Sequence, residues 1–286
     1  MRARRIGVLV VQETHLTGTM AASLNTLYDK SAILVSSINH FNTNSGGVAV
    51  LINRREVPCT RDQVTTHEIV PGRALSVSFP WRGDERRVTV LGVYAPNDAI
   101  QNANFWTMLK TRYDARNNPA PSPDFLAGDF NLVESCRDRE PSREDARNAV
   151  SALGAFLEGR RLIDGWRREY PQRREYTWKA APGAAVAARS RLDRIYVKED
   201  LYHATRDWNI LVDQPLVTDH ELVVATLYDL GAPHIGKGRW EIPAFLLRND
   251  KYLEAVEKMC TDTLQLIQDP MACLAEHLSH LVEPTS

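Results

Sequence analysis

Short apolar runs rich in β-branched residues recur from end to end of this chain, and they restrict its fold more than any other feature. Residues 6–11, 33–36, 47–52, 75–79, 87–93, 124–127, 194–197 and 222–227 are each too short for a stable helix and too apolar for a loop, so they read as buried strands. Helical spacing intervenes at residues 102–116, where Phe105, Trp106, Leu109 and Tyr113 share a face, and at residues 143–158, with Val150, Leu153 and Leu157. Other strands follow one another across short turns, as at residues 80–85 with Gly83-Asp84, which suits antiparallel pairing. Hairpins mixed with helical crossovers predict an α+β fold, two packed sheets with helices outside. The first run is apolar throughout and is expected to be buried on both faces.

This pattern fills residues 1–230, a length that can enclose a large core. Residues 231–248 carry the Gly, Pro and Lys of a linker, and residues 249–286 form a helical appendage whose stripe is Tyr252, Val256, Met259, Cys260 and Leu264. No run approaches the roughly 18 apolar residues of a membrane span. The apolar stretch after the basic residues Met1 to Arg5 ends early, in Gln12-Glu13, unlike a secretory signal. Cys59, Cys136, Cys260 and Cys273 lack CxxC spacing, which argues against a zinc site or a disulfide framework and for an intracellular, reducing setting. No signal directs the chain to the nucleus, although a DNA substrate would suit one.

A formal charge of -1 gives little support to a protein that coats nucleic acid by bulk charge, so any DNA contact must be local. Arg160, Arg161, Arg167, Arg168, Arg173 and Arg174 crowd together among Trp166, Tyr170, Tyr176 and Trp178. Such a patch suits phosphates. It equally suits a solvated surface on which arginine stems cover aromatics.

Carboxylates stand where strands meet turns: Glu13 after Val10-Val11-Gln12, Asp129 after Leu126-Ala127-Gly128, Asp193 in Arg191-Leu192-Asp193-Arg194, and Asp219 beside His220. A loop anchored on a rigid strand can aim carboxylate oxygens at a hard cation, and magnesium prefers a few carboxylates plus water. Taken singly, each is as well explained as a turn cap. Tyr94 ends another strand before the rigid Ala95-Pro96-Asn97 turn, and a histidine beside an aspartate suits proton or phosphate work.

The ordered set Gln12-Glu13-Thr14-His15, Tyr94-Ala95-Pro96-Asn97, Gly128-Asp129-Phe130-Asn131, Arg191-Leu192-Asp193-Arg194-Ile195 and Thr218-Asp219-His220 resembles the endonuclease/exonuclease/phosphatase family, over roughly residues 5 to 228. The resemblance implies a four-layer α/β/β/α sandwich of the DNase I type and Mg2+-dependent phosphodiester hydrolysis, with Mn2+ as a substitute. It implies that Glu13 binds the metal, that Asp219 joins the metal site or shapes the histidine's surroundings, and that His220 meets the scissile phosphate. Asp193 would orient His220, Asp129 would orient or deprotonate the attacking water, and Asn131 and Tyr94 would hydrogen-bond the phosphate. Thr177 resembles a further DNA-phosphate contact, or is simply a strand threonine, and Arg173 and Arg174 are the expected DNA-binding arginines.

Gln12 to Leu16, Tyr176-Thr177-Trp178 and Gly238-Arg239-Trp240 with Leu246-Leu247, Asp250 and Tyr252 resemble the LINE-type retrotransposon branch, which implies a double-stranded DNA partner and no obligate protein partner. Family members begin with a strand ending in an Asn at the metal site and a helix before Gln-Glu. Here only Met1 to Arg5 stands in that place, so the expected chain lacks the first strand and helix. Two other readings follow: a catalytically impaired fragment that still binds nucleic acid, and a phosphodiesterase of the same fold acting on a small phosphoester or a lipid.

Overall fold

The computed structural model describes residues 1, 4–39, 46–81, 86–181, 183, 187–212, 218–229 and 249–268, the last helix with side chains to residue 261. The chain divides into two units, Met1–Leu230 and Gly231–Ser286. In the first, the strands are β1 (Val8–Gln12), β2 (Ala32–Ser37), β3 (Val48–Asn53), β4 (Thr65–Val70), β5 (Ala74–Pro80), β6 (Arg87–Tyr94) and β7 (Phe125–Asp129). They continue as β8 (Arg139–Glu140), β9 (Leu162–Asp164), β10 (Trp178–Lys179), β11 (Arg189–Ser190), β12 (Asp193–Lys198), β13 (Thr205–Leu211) and β14 (Leu222–Leu227). Its helices are α1 (Gly18–Leu27), α2 (Ala99–Asp114), α3 (Arg147–Arg160) and α4 (Gly165–Glu169). The described part of the second unit is helix α5 (Asp250–Gln268). The linker expected at residues 231–248 and the end of the appendage, residues 269–286, lie outside the described residues. No described helix is long and apolar enough to cross a membrane.

Six strands form the inner sheet in the order β4-β5-β6-β7-β12-β9. Only β6 and β7, joined through α2, run parallel; the other pairs are antiparallel. Successive side chains leave a strand on opposite faces, which is why β5 and β6 are buried almost throughout. Leu75, Val77, Phe79, Val88 and Val90 pack towards Val48, Val50 and Ile52 of an outer sheet, β1-β3-β2. Ala74, Leu91 and Val93 pack the other way, against Trp106 and Leu109 of α2 and Leu153 and Phe156 of α3. Trp106 anchors that side, stacked on Phe130 at 5.3 Å. With α1 against β2 the layers run helix, sheet, sheet, helix, the α/β/β/α sandwich expected, and β13-β14 continues the outer layer over β12.

Three boundaries differ from expectation. Helix α2 begins earlier, at Ala99, because Asp98 caps it by accepting the N–H groups of Ile100 and Gln101, before the apolar face starts. Helix α3 begins later, at Arg147, because Asp145 accepts from Val133 N (2.7 Å) and pairs with Arg139 (2.8 Å). The first strand is half-buried along its whole length, not buried on both faces, because it is the edge of its sheet. Helix α1 and strands β4 and β13 carried no readable pattern: α1 fully buries no residue, and β13 is broken by a register shift between Arg206 and Asn209.

Gly128 lets β6 and β7 lie close. Its φ is +146°, and a Cβ there would sit 1.9 Å from the Val93 carbonyl oxygen. Since that oxygen belongs to buried backbone, Gly128→Ala is expected to cost on the order of 3 kcal/mol. Urea denaturation should show it as a lower midpoint with unchanged slope; an unshifted midpoint would refute the close-approach account.

Candidate active site

The inner-sheet register sets three functional side chains in a row. Tyr94 at the end of β6 lies opposite Asp129 at the end of β7, and Asp129 lies opposite Asp193 at the start of β12. The outer layer supplies the rest, with Glu13 directly after β1 and Asp219 and His220 just before β14. Glu13, Tyr94, Asp129, Asn131, Asp193, Asp219 and His220 all line one cavity of about 1910 Å3. Thr177, Arg173 and Arg174 are not among its walls.

Asp193 Oδ2 stands 2.7 Å from His220 Nδ1, which leaves the other ring nitrogen for a ligand. Burial pulls the imidazole pKa down. The Asp193 hydrogen bond and the charges of Asp193, Asp129 and Asp219 outweigh it and raise the group to about 9. Asp129 is 5% exposed. Its carboxyl is pushed up to about 7 by burial first, then by the negative charges of Asp193 and Glu13, against the Asn131 backbone N–H (2.9 Å) and His220. Opposed shifts of this kind are able to pair a proton acceptor with a proton donor near neutral pH.

The remaining groups are held by specific partners. Glu13 accepts from the Tyr94 hydroxyl, and burial together with Glu13 keeps that phenol well above its usual pKa. Asn131 donates one amide N–H to the Ala95 carbonyl at 2.9 Å, keeping a second N–H and its oxygen. Asp219 accepts from the Trp178 indole at 3.0 Å. Glu13 and Asn131 both have left-handed backbones, with φ of 52° and 49°, a strain that clusters where side chains must be aimed. Gly47 makes room for the first of these loops, since a Cβ there would lie 2.5 Å from Thr14 Oγ1.

Among the described residues no group of three or more His, Cys, Asp or Glu stands ready as a metal cage. The donor chemistry nonetheless fits a hard cation. All the carboxylates at the cavity offer oxygen, and Glu13, Asp129, Asp193 and Asp219 bring four of them to its walls. Magnesium held by one or two carboxylates and otherwise by water needs no closed cage.

The DNA-contact expectations fare differently. Thr177 is fully buried, and its hydroxyl accepts the N–H groups of Leu192 (3.0 Å) and Asp193 (2.9 Å). From the bend just before β10 it thus braces the loop that presents Asp193. In the arginine patch, Arg173 lies over Tyr170 and pairs with Glu175 at 2.5 Å. Arg160 pairs with Asp114, Arg161 with Asp200, and the Arg168 guanidinium lies over Tyr202, so much of the patch is engaged by carboxylates and aromatic rings. Arg174 is exposed.

Some supporting residues escaped the sequence reading. Asn102, buried within an otherwise apolar helix face, donates to the carbonyls of Pro96 (2.8 Å) and Phe130 (2.9 Å) and so clamps the Tyr94 and Asp129 loops together. Its polar identity on that face was the only available signal. Arg73 lies 4.6 Å over the Tyr94 ring, a contact that nothing local in the sequence announces. Beneath Asp193, Arg191 is 2% exposed and binds Asp138 at 2.9 and 3.0 Å and Asp164 at 2.7 Å.

Solved structures share this architecture. The chain is similar to an AP endonuclease from Leishmania major, at 17% identity and a TM-score of 0.58 over 77% of this chain and 78% of that one. A 3'-5' exonuclease from Neisseria meningitidis matches at 20% identity and a TM-score of 0.56, covering 78% and 89%. The APE2 catalytic domain from Xenopus laevis matches at 16% and 0.57, covering 81% and 87%. At such identities these likenesses establish the fold. A sequence model of the Endonuclease/Exonuclease/phosphatase family also matches, over residues 1–220, and the chain therefore belongs to that family.

Proposed function

We propose that this chain is a divalent-metal-dependent phosphodiesterase that nicks double-stranded DNA, of the kind carried by LINE-type retrotransposons. The observation that carries the reading is the Asp193–His220 pair beside Asp129, with Tyr94 and Glu13 on the same cavity. Asp129, with its carboxyl near 7, accepts a proton from the attacking water. His220, held protonated over Asp193, donates towards the phosphate and the leaving oxygen. The free part of the Asn131 amide hydrogen-bonds the non-bridging oxygens, and Tyr94 joins it where its hydroxyl turns from Glu13 to the phosphate. Glu13 and Asp219 would hold Mg2+ or Mn2+, which when bound offsets the negative charge that builds on the phosphate.

Nucleic acid is supported as substrate by relatives described as AP endonucleases and a 3'-5' exonuclease, and by a Neisseria 3' phosphatase of the same fold solved with a product DNA hairpin. The LINE assignment rests on the motif forms around Glu13 and Trp178 and at Gly238-Arg239-Trp240. Because groove shape would guide the enzyme, little sequence preference beyond duplex deformability is expected.

Purified protein should convert supercoiled plasmid to open circles with Mg2+ or Mn2+, stop on addition of EDTA, and release no phosphate from inositol phosphates. Phosphate release without nicking would move the substrate to small phosphoesters. Absence of both would leave the nucleic-acid-binding remnant as the reading.

A further inference from the structure

One row of cross-strand partners runs along the cavity. Arg139 of β8 lies opposite Ser190 of β11, Ser190 opposite Trp178 of β10, and Trp178 opposite His220. All four residues line the cavity of about 1910 Å3. Cross-strand partners carry their side chains on one face, and three steps of about 4.8 Å set the two ends about 14 Å apart. His220 stands at one end of this row, and the other end is basic.

Arg139 and, just past β8, Arg143 both line that basic end, whereas Glu144 and Asp145 are not among the walls. Asp145 pairs with Arg139 at 2.8 Å and also takes the Val133 N–H, while Glu140 is taken by Arg189. Arg143 is exposed and has neither a hydrogen bond nor an ion pair among the described residues. Burial lowers the Arg139 pKa, Asp145 opposes that, and the like charge of Arg143 adds to the lowering. Two guanidinium groups thus share one carboxylate, a repulsion that a bound anion relieves. The other cationic side chains of the cavity are engaged or covered. Arg5 pairs with Glu56, Arg4 is not without a partner, Arg194 is buried, and His220 is held by Asp193.

We infer that Arg143, with Arg139 beside it, anchors a backbone phosphate of the nucleic acid other than the one being cleaved, so that the substrate lies along the row from His220 to the segment between β8 and α3. The inference rests on the nuclease reading. The same cavity carries Glu13, Asp129, Asp193 and Asp219, which repel a polyanion, so a fixed cation along the path is needed to hold the substrate over them. An exposed guanidinium without a partner can take a phosphate through two N–H groups with no ion pair to break first.

The test is equilibrium binding of a short fluorescein-labelled DNA duplex, followed by anisotropy in EDTA, at salt from about 25 to 150 mM. Loss of one phosphate contact lowers the slope of log K against log salt by about 0.9, so Arg143→Ala should show that loss and bind about eightfold more weakly at about 0.1 M salt. The weakening should be the same for duplexes of unrelated sequence. Arg143→Lys keeps the charge and should keep the slope. Arg174→Ala, which removes an exposed charge away from the cavity, should match the parent. An unchanged slope in Arg143→Ala, or an equal loss in Arg174→Ala, overturns the inference and leaves the nuclease reading standing. A parent that binds no duplex across this range overturns the nuclease reading itself and the inference with it.

Discussion

His220→Ala is expected to slow metal-dependent nicking about a hundredfold or more, the scale of a lost acid or charge-stabilising group. Its imidazole is anchored at 2.7 Å on Asp193, and its side chain is 31% exposed, so little packing is lost with it. The variant should therefore melt close to the parent. Asp129→Ala should lose activity to a similar degree, because the group that takes the proton disappears. Asp193→Asn should fall between, since it keeps the contact but removes the charge that holds His220 protonated. Single-turnover nicking on one plasmid preparation, with melting curves for all variants, tests this. Equal rates for the parent, His220→Ala and Asp129→Ala would point to a contaminating nuclease or to chemistry elsewhere on the molecule.

The second large effect concerns stability. Asp138→Ala is expected to cost about 3–5 kcal/mol, because it strands buried arginine charge. Asp138 and Arg191 are each 2% exposed, and Arg194 and Arg167 also face that carboxylate. Burial alone would raise the Asp138 carboxyl. The Arg191 hydrogen bonds and the charges of Arg191, Arg194 and Arg167 outweigh it and bring the group to about 2, below the ordinary 3.8. A carboxylate depressed in the folded state stabilises the protein fully above the unfolded value and loses that contribution as pH falls through the folded one. The parent should thus lose stability between about pH 4 and pH 2, and the alanine variant should lack this component of the slope. Urea midpoints across that range measure it. Coincident curves for the two proteins would show that the pair contributes nothing.

Much of this was legible beforehand where local chemistry and position coincide. Residues 222–227 are a strand as expected, Asp129 ends a strand because an apolar run driving into a carboxylate marks such an end, and Asp193 opens the strand that the run 194–197 predicts. Gly128 announced a close approach. What stayed hidden depends on contacts distant in sequence. No local pattern says that Asn102 reaches the Phe130 carbonyl, that Arg73 covers Tyr94, or that the arginines near Trp166 are taken up by Glu175, Asp114 and Asp200. Thr177 was ambiguous for the same reason. A threonine hydroxyl looks identical in sequence whether it faces solvent or holds two backbone N–H groups, as Thr177 does.

The division of the site between two layers also bears on how the protein is made. Tyr94, Asp129, Asn131 and Asp193 belong to the inner sheet, whereas Glu13 emerges near the beginning of the chain and His220 just before the last strand of its unit. A ribosome delivers residues in order, at about 5–20 per second, and domains fold as units once enough of them are available. Until residues 220–227 are made, the nascent unit therefore has Glu13 but neither the imidazole nor the β14 strand that follows it. On the proposed reading, the site is completed only when His220 and β14 are in place, so a nascent unit without them would lack its proton donor.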